Sequence, residues 1–207
     1  MKDGSVGTRE SLMMHAAALL EGQGKDALTL RALGASTGLS RGAAYRHFAG
    51  KDELLAALAS RAMQDLNRAM AEAWATGRTT SFPARLERML WAYAERAISR
   101  PEHYRLIFSS DLDPSRHPDL EQAGAEAFAT LVKAIGEGTT AGEIAPANSP
   151  QAMAALLFSS VHGLVDLLLS GHGRPEKGLS DPRGVVRLLV ALVAARAHPE
   201  DDRPQTP

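Results

Sequence analysis

The amino-acid sequence predicts an all-α protein, with a three-helix head that contains a helix-turn-helix and a larger helical bundle behind it. Apolar residues recur at three- and four-residue steps along most of the chain, which is the period of an amphipathic helix. No segment alternates apolar and polar residues as a half-buried strand does, and no internal repeat is visible. Proline and glycine residues separate the periodic segments and mark their ends.

The composition is typical of a soluble helical protein. The 207 residues are 44% hydrophobic and only 5% aromatic, which suits aliphatic cores. With no cysteine, disulfides and thiolate metal sites are excluded, and a reducing compartment is compatible. The first residues lack the order of a signal peptide, and polar residues interrupt the most apolar segment, 153–169. We therefore expect a cytoplasmic protein with no membrane partner and no cofactor.

The head is placed at residues 8–50 and starts with one amphipathic helix. Thr8 stands where a cap would accept the free N–H groups of the first turn. The helix ends near Gly22 and Gly24, since glycine is favoured just beyond a helix C-terminus. Its apolar stripe consists of Leu12, Ala16, Leu19 and Leu20.

Residues 29–51 contain two short helices joined by a glycine turn. Leu30 and Leu33 give the first of these helices one apolar stripe. Gly38 supplies the positive φ that the turn needs, and Ser40 stands at the cap of the next helix. This is the pattern of a helix-turn-helix.

The second helix of the motif, 41–48, is amphipathic. Its inward face holds Ala43, Ala44 and Phe48, and its outward face holds Arg41, Gly42, Tyr45, Arg46 and His47. Residues 1–51 have seven lysines and arginines against four aspartates and glutamates, a charge of +3 in a chain of net charge −1. A basic head on an acidic body favours contact with a polyanion. We interpret 41–48 as a DNA recognition helix.

The motif resembles the DNA-binding signature of the TetR family of bacterial transcriptional regulators. The signature is matched in order by Thr29, Arg31, Gly38, Ser40, Tyr45, His47, Phe48 and Lys51. Gly34 departs from it, because the family usually has alanine there, and glycine inside a helix costs about 0.5–1 kcal/mol relative to alanine. The alternative is a compact helical corner in some other all-α protein.

Base reading is predicted for arginines of the motif. Arg31 and Arg41 can pair bidentately with guanine, and we favour Arg41 because it opens the recognition helix. Gly42 lets the backbone come close to the groove. The resemblance assigns phosphate contacts to Thr29, Tyr45, His47 and Lys51. Ser40 and Arg46 complete the predicted DNA-binding set, and a solvated surface position is the alternative for each residue.

Residues 51–197 are predicted to form a helical regulatory and dimerisation domain. A long helix from Lys51 to about Thr76 leads into it, and proline and glycine steps delimit helices at 82–98, 102–109, 118–137, 150–169 and 182–197. Apolar residues cover most of the circumference of the last two, which the surface of a monomer does not tolerate. We expect a homodimer held by a four-helix bundle, with burial in a monomeric core as the alternative.

The second half of the chain resembles a TetR subgroup with a His-Gly pair in its ligand domain. The corresponding residues are Pro101, Tyr104, Phe108, Phe158, His162 and Gly163. Phe158 stands where the subgroup usually has tryptophan, so the pocket beside it is expected to differ in shape. Asp166 lies one helical turn after His162 and is placed to orient the imidazole, although a satisfied core or interface histidine is the simpler interpretation.

Methionines and aromatics in the same half are candidates for an apolar ligand cavity. Flexible methionines beside aromatic rings with a few polar tips make an adaptable pocket. The candidates are Met63, Leu66, Met70, Trp74, Met89, Tyr93, Tyr104, Phe108, Phe128 and His162. Core packing explains these residues equally well.

Catalytic interpretations find little support in the sequence. Residues 34–38 read G-x-S-x-G, but a nucleophile elbow needs a strand before it. Phosphate-binding loops and zinc or di-iron motifs are missing, so we expect neither an enzyme nor a metal site. The sequence predicts a homodimeric repressor, released from double-stranded operator DNA by a small apolar effector. The alternatives are an effector-independent regulator, an activator or, outside DNA binding, a helical small-molecule-binding module or enzyme.

Overall fold

The computed structural model describes residues 3–38, 41–76, 80–109, 111–144 and 149–194. Within these ranges the chain forms nine α-helices and no strand, which confirms the predicted all-α class. The helices are α1 (Asp3–Ala27), α2 (Leu30–Ser36), α3 (Arg41–His47), α4 (Lys51–Thr76), α5 (Phe82–Ser99), α6 (Pro101–Ile107), α7 (Pro118–Thr140), α8 (Pro150–Leu169) and α9 (Pro182–Ala194). Single 3₁₀ turns, which the sequence did not predict, lie at Pro114–Arg116 and Pro175–Lys177.

The first helix is longer than predicted. It begins at Asp3, so Thr8 lies inside it and the predicted cap at Thr8 is wrong. No proline interrupts residues 3–8, and an acidic residue in the first turn is stabilised by the helix dipole, so the helix extends past the threonine. Gly24, with a φ of 76°, kinks the helix where its end was predicted.

Side-chain caps and prolines set the start of the last two helices. Ser149 lies directly before Pro150, and its Oγ atom accepts the N–H of Ala152 at 3.2 Å. At the start of α9, the carboxylate of Asp181 accepts the N–H of Gly184 at 2.9 Å. Proline suits the first helical position because the N–H that it lacks would have no partner there. Both helices therefore begin where the sequence predicts.

The chain divides into two compact units. The first comprises Met1–Leu66 and Ala97–Ala127, and the second comprises Asn67–Arg96 and Phe128–Pro207. In the first unit α1 packs against α2 and α6, and α2 packs against α3. In the second unit α8 packs against α9. The division into a head at 8–50 and a regulatory domain at 51–197 stays a prediction.

The first unit has an aliphatic core and a buried histidine that pairs with a half-buried carboxylate. Its largest fully buried side chains are Leu12, Leu20, Leu28, Leu33, Phe48, Leu54, Leu58 and Leu106. The Nδ1 atom of His103, on α6, lies 2.7 Å from the carboxylate of Glu21 on α1. Lys25 and Asp111, which follow Glu21 and His103 by a few residues, also form an ion pair. A segment predicted to belong to the regulatory domain therefore packs directly on the first head helix.

The second unit joins α5 to α9 through one carboxylate. Glu87 accepts from the Nε of Arg183 at 3.1 Å and from the Nε of Arg187 at 3.4 Å. The guanidinium of Arg183 also lies 6.0 Å from the ring centroid of Trp91. The core below these contacts is aliphatic, with Leu86, Met89, Leu90, Ile135, Leu157, Val165 and Val190 buried.

Candidate functional site

The helix-turn-helix turns at a glycine, as predicted, and its first helix has a side-chain cap that the sequence analysis did not assign. The Oγ1 atom of Thr29 accepts the N–H of Ala32 at 3.0 Å and caps α2. Gly38 has a φ of 65°, which an L side chain adopts only with strain, so glycine permits the turn. Ser40, the predicted cap of the next helix, lies outside the described residues.

The recognition helix α3 has the two faces that the sequence predicts. Ala43 and Ala44 on its inward side are buried, and so is Phe48, which follows the helix directly because α3 ends one residue earlier than predicted. On the other side Gly42 and Arg46 are exposed, Tyr45 is 56% exposed, and His47 is half-buried. A helix that buries only alanines and one phenylalanine lies close to the body of the head and leaves its polar face to solvent.

The other predicted DNA-binding residues lie on neighbouring helices. Arg31 is exposed on α2, and Lys51 is half-buried as the first residue of α4. Arg41 opens α3, and its side chain lies outside what the structure describes. The carboxylate of Glu53 accepts the N–H of Ala49 at 2.6 Å, just before α4 begins. Glu53 thereby ties the residues just before α4 to the first turn of that helix.

The ten candidates for an apolar cavity divide between the two units. Met63, Leu66, Tyr104 and Phe108 lie in the first unit, and Met70, Trp74, Met89, Tyr93, Phe128 and His162 lie in the second. Five are buried as core residues are: Leu66, Met70, Met89, Tyr93 and Tyr104. The other five are half-buried or exposed. Their role in ligand binding stays a prediction.

Around His162, the second unit holds an aromatic and polar cluster. Its Nδ1 atom lies 3.3 Å from the hydroxyl of Tyr93, and its Nε2 atom lies 3.8 Å from the carboxylate of Asp166. The ring of Phe158 has its centroid 5.4 Å from that of His162 and 6.0 Å from that of Tyr93. Both imidazole nitrogens therefore have a polar neighbour, as the simpler interpretation of this histidine requires.

The second unit contains a cleft, and the sequence analysis predicted only one of the residues that line it. It has a volume of about 650 Å³ and is lined by Ala71, Trp74, Ala75, Arg85, Thr130, Lys133, Ala134 and Glu137. Of these only Trp74 belongs to the predicted cavity set. Arg85 lies on α5, and the other missed residues sit one helical turn apart on α4 and α7, but the same spacing describes any solvated helix face. The sequence therefore holds no signal that distinguishes the wall of a cleft from a solvated helix face.

An all-α chain with a capped helix-turn-helix and an outward polar recognition helix belongs to the class of DNA-binding regulators. Comparison with protein families agrees. The family described as "Bacterial regulatory proteins, tetR family" matches residues 12–58, and "Tetracyclin repressor-like, C-terminal domain" matches residues 86–193. The chain belongs to the TetR family of transcriptional regulators, whose members are non-enzymatic DNA-binding proteins.

Solved structures share this fold over nearly the whole chain. A Rhodococcus sp. RHA1 protein of unknown function is 26% identical, with a TM-score of 0.77 and coverage of 91% of this chain and 94% of that one. The regulator PfmR from Thermus thermophilus is 19% identical, with a TM-score of 0.64 and coverage of 89% and 97%. A tetR-family regulatory protein from Rhodococcus RHA1 is 22% identical, with a TM-score of 0.65 and coverage of 94% and 98%. No curated protein matches the chain.

Proposed function

We propose that the chain is a cytoplasmic, homodimeric repressor that leaves its operator DNA when a small apolar effector binds. The observation that carries this proposal is the outward face of α3, where Tyr45 and Arg46 are exposed while Ala43, Ala44 and Phe48 are buried. A short helix with its apolar side held against the head has its polar side available for the major groove.

Gly42 supports the approach of this helix to DNA. Among the described neighbours, a Cβ atom at Gly42 would meet only the Nη1 atom of Arg46, at 3.5 Å. Packing against these neighbours therefore gives no reason for a glycine at this exposed position. A missing side chain next to Arg41 lets the backbone come close to the groove, where the guanidinium of Arg41 pairs with guanine and Lys51 contacts a phosphate.

The proposed dimer interface is the outer surface of α8 and α9. Leu156 on α8 is 54% exposed, and Leu188 and Leu192 on α9 are each 61% exposed. By length and composition α8 is also apolar enough to cross a membrane, with a mean hydropathy of 1.8. Because α9 packs beside α8 and exposes leucines too, we favour a second copy of the chain as the partner.

The proposed effector acts by linkage between its own site and the DNA site. Two recognition helices of a dimer must reach half-sites about 34 Å apart or at a related spacing. An effector that prefers a dimer with another spacing lowers the DNA affinity, and DNA lowers the effector affinity by the same factor. The ten cavity candidates and the cleft at Trp74 are where such an effector is to be sought.

The test compares two cationic residues on an operator that footprinting identifies in the DNA beside the gene for this chain. Arg41→Ala is expected to cost about 1–3 kcal/mol and to relax the preference at one base pair in each half-site. Lys51→Ala is expected to weaken all sequences alike and to flatten the salt dependence. Lys177→Ala, exposed in the second unit, is the control.

Two results contradict the proposed contacts. An Arg41→Ala protein that loses the same affinity on every base-pair variant of the operator does not read a base through Arg41. A Lys51→Ala protein with the salt dependence of the Lys177→Ala control does not contact a phosphate through Lys51.

A further inference from the structure

The cleft between α4, α5 and α7 has the size and the walls of a ligand site. Its volume of about 650 Å³ lies within the usual range for small-molecule pockets. Ala71 and Ala75 on α4 face it together with Ala134 on α7, so small side chains line much of the wall. The indole of Trp74 adds a flat apolar surface.

The indole is fixed from two sides. The ring of Phe82 meets that of Trp74 edge-on, with centroids 5.7 Å apart. Gly138 makes room for this phenylalanine, because a Cβ atom there would lie 2.3 Å from the Phe82 ring. The Nε1 atom of Trp74 donates to Glu137 at 3.2 Å. The aromatic wall of the cleft is therefore held in place without a ligand.

Arg85 has hydrogen-bonding capacity that the protein does not use. Its guanidinium lies 3.7 Å from the centroid of the Trp74 ring, and its Nη2 atom lies 3.5 Å from the carbonyl oxygen of Trp74. The same Nη2 atom is 3.8 Å from Glu137, too far for a strong hydrogen bond. The buried Nε atom has no hydrogen-bond partner within the described part of the chain.

The charges that line the cleft have a positive excess. Among the described residues that line it, Arg85 and Lys133 face a single carboxylate, Glu137, which also accepts from Trp74. Lys133 is exposed and has no ion pair with any residue that the structure describes. A carboxylate from outside would gain a guanidinium, whose planar donors bind carboxylates bidentately, and an ammonium at the rim.

We propose that this cleft binds a small organic anion with a flat apolar body, in the class of aromatic carboxylates. Its carboxylate pairs with Arg85 and Lys133 and displaces Glu137 from the long contact with Arg85. Its ring lies against the alanines. The identification of this anion as the effector rests on the function proposed above, whereas its binding to the cleft does not.

The test uses benzoate, phenylacetate and 2-naphthoate as probes, each beside its neutral amide, in calorimetric titrations of the full chain without DNA. At least one carboxylate is expected to bind with a Kd below about 1 mM, and its amide about tenfold more weakly or worse. The chain has two tryptophans, so Trp91→Phe leaves Trp74 as the sole tryptophan fluorophore, and its emission is expected to change on binding. No binding by any of the three carboxylates, or equal binding of acid and amide, overturns the proposal.

Variants of the lining residues locate the bound anion. Arg85→Met is expected to weaken the carboxylate about tenfold or more and Lys133→Ala about twofold to fivefold, with Lys177→Ala unchanged as the matched lysine control. Ala75→Leu fills the cleft from an exposed helix position and is expected to abolish binding even if Arg85→Met fails to fold. Carboxylate binding that survives Ala75→Leu overturns the proposal, because the anion then binds elsewhere.

A separate measurement distinguishes the two proposals. Operator affinity is measured with and without the carboxylate that binds most tightly. Binding that Ala75→Leu abolishes, with no effect on operator affinity, supports the anion site and contradicts the effector role. If the carboxylate still releases DNA from the Ala75→Leu and Arg85→Met variants, the result supports an effector-controlled repressor. The same result overturns the cleft as the effector site.

Discussion

The outer face of α3 and the outer faces of α8 and α9 differ in what they leave to solvent. Helix α3 and the phenylalanine that follows it bury Ala43, Ala44 and Phe48, and the helix exposes Tyr45, Arg46 and a glycine. Helices α8 and α9 bury valines and leucines and still expose more leucines, with Leu188 and Leu192 each 61% exposed. Water solvates the polar groups of the first surface well, whereas the second surface exposes apolar area to water.

This difference shows how one helical chain specifies two kinds of partner. A polar surface with arginine and tyrosine gains energy from a charged, hydrated partner such as DNA. A leucine surface gains energy only when water is removed from it, at about 25 cal/mol for each Å² of apolar area. Substitutions at one surface should therefore weaken DNA binding and substitutions at the other should weaken the dimer, independently and by different free energies.

The largest expected effect is at the leucine surface. Leu188→Glu combined with Leu192→Glu places two charges per chain in the proposed interface, and the twofold axis doubles their number. Full burial of each leucine is worth about 1.5–3 kcal/mol, so we expect the dimer Kd to rise by several powers of ten. Sedimentation at micromolar concentration measures this change.

Ala129→Glu is the control for the leucine variants, since it adds a charge at an exposed position of α7 in the same unit. It should leave the sedimentation coefficient unchanged. A wild-type chain that sediments as a monomer would contradict the dimer and leave the exposed leucines to some other partner.

The next largest effect is at the core of the head. Phe48 is 1% exposed, and Phe48→Ala is expected to cost about 3–5 kcal/mol of stability, enough to loosen α3 from the head. Operator binding should be lost while the dimer, held by α8 and α9, persists. Calorimetric unfolding and sedimentation of the same sample separate the two outcomes.

Tyr45→Ala supplies the matched comparison for Phe48, because Tyr45 is an aromatic residue on the opposite face of α3. Its loss should change stability by no more than about 0.5 kcal/mol and still reduce DNA affinity. If Phe48→Ala also dissociated the dimer, the two surfaces would not be independent, and the comparison between them would fail.

Local signals explain why the helices were predictable. The turn at Gly38 and the prolines that open α8 and α9 are short-range features that the sequence displays directly. The start of α1 was predicted five residues too late, at Thr8 instead of Asp3, because a threonine that suits a cap is also tolerated inside a helix.

The contacts between helices were not predictable from the same signals. The pairing of His103 with Glu21 joins residues 82 positions apart, and only the packing of α6 against α1 brings them together. In the cleft, Arg85 and Glu137 look like solvated charges in the sequence, because helical spacing is the same for an exposed face and for the wall of a cavity. Only the fold places both beside Trp74.

The smallest expected effect concerns a charged contact within the first unit. Glu10 on α1 and Arg61 on α4 lie 2.6 Å apart, with side chains 52% and 43% exposed. The hydrogen bond from Arg61 lowers the pKa of Glu10 below its ordinary value. A depressed carboxyl pKa adds stability above the unfolded-state pKa, and this contribution is lost as the pH falls through the folded-state pKa.

Glu10→Gln is therefore expected to cost about 0.2–0.5 kcal/mol at neutral pH, since both side chains are largely in water. The difference from the wild type should shrink as the pH falls below the ordinary glutamate pKa of about 4.3, because acid then protonates Glu10 in the wild type and leaves the variant unaltered. Urea unfolding above and below that pH measures it, with Glu95→Gln, at an exposed position of α5, as the control. A difference that stays constant with pH would assign the effect of Glu10 to packing on α4 instead of to its charge. Charge would then matter at the outer face of α3, through its contact with DNA, and not through ion pairs that stabilise the head. The contrast with the leucine surface would concern that outer face alone.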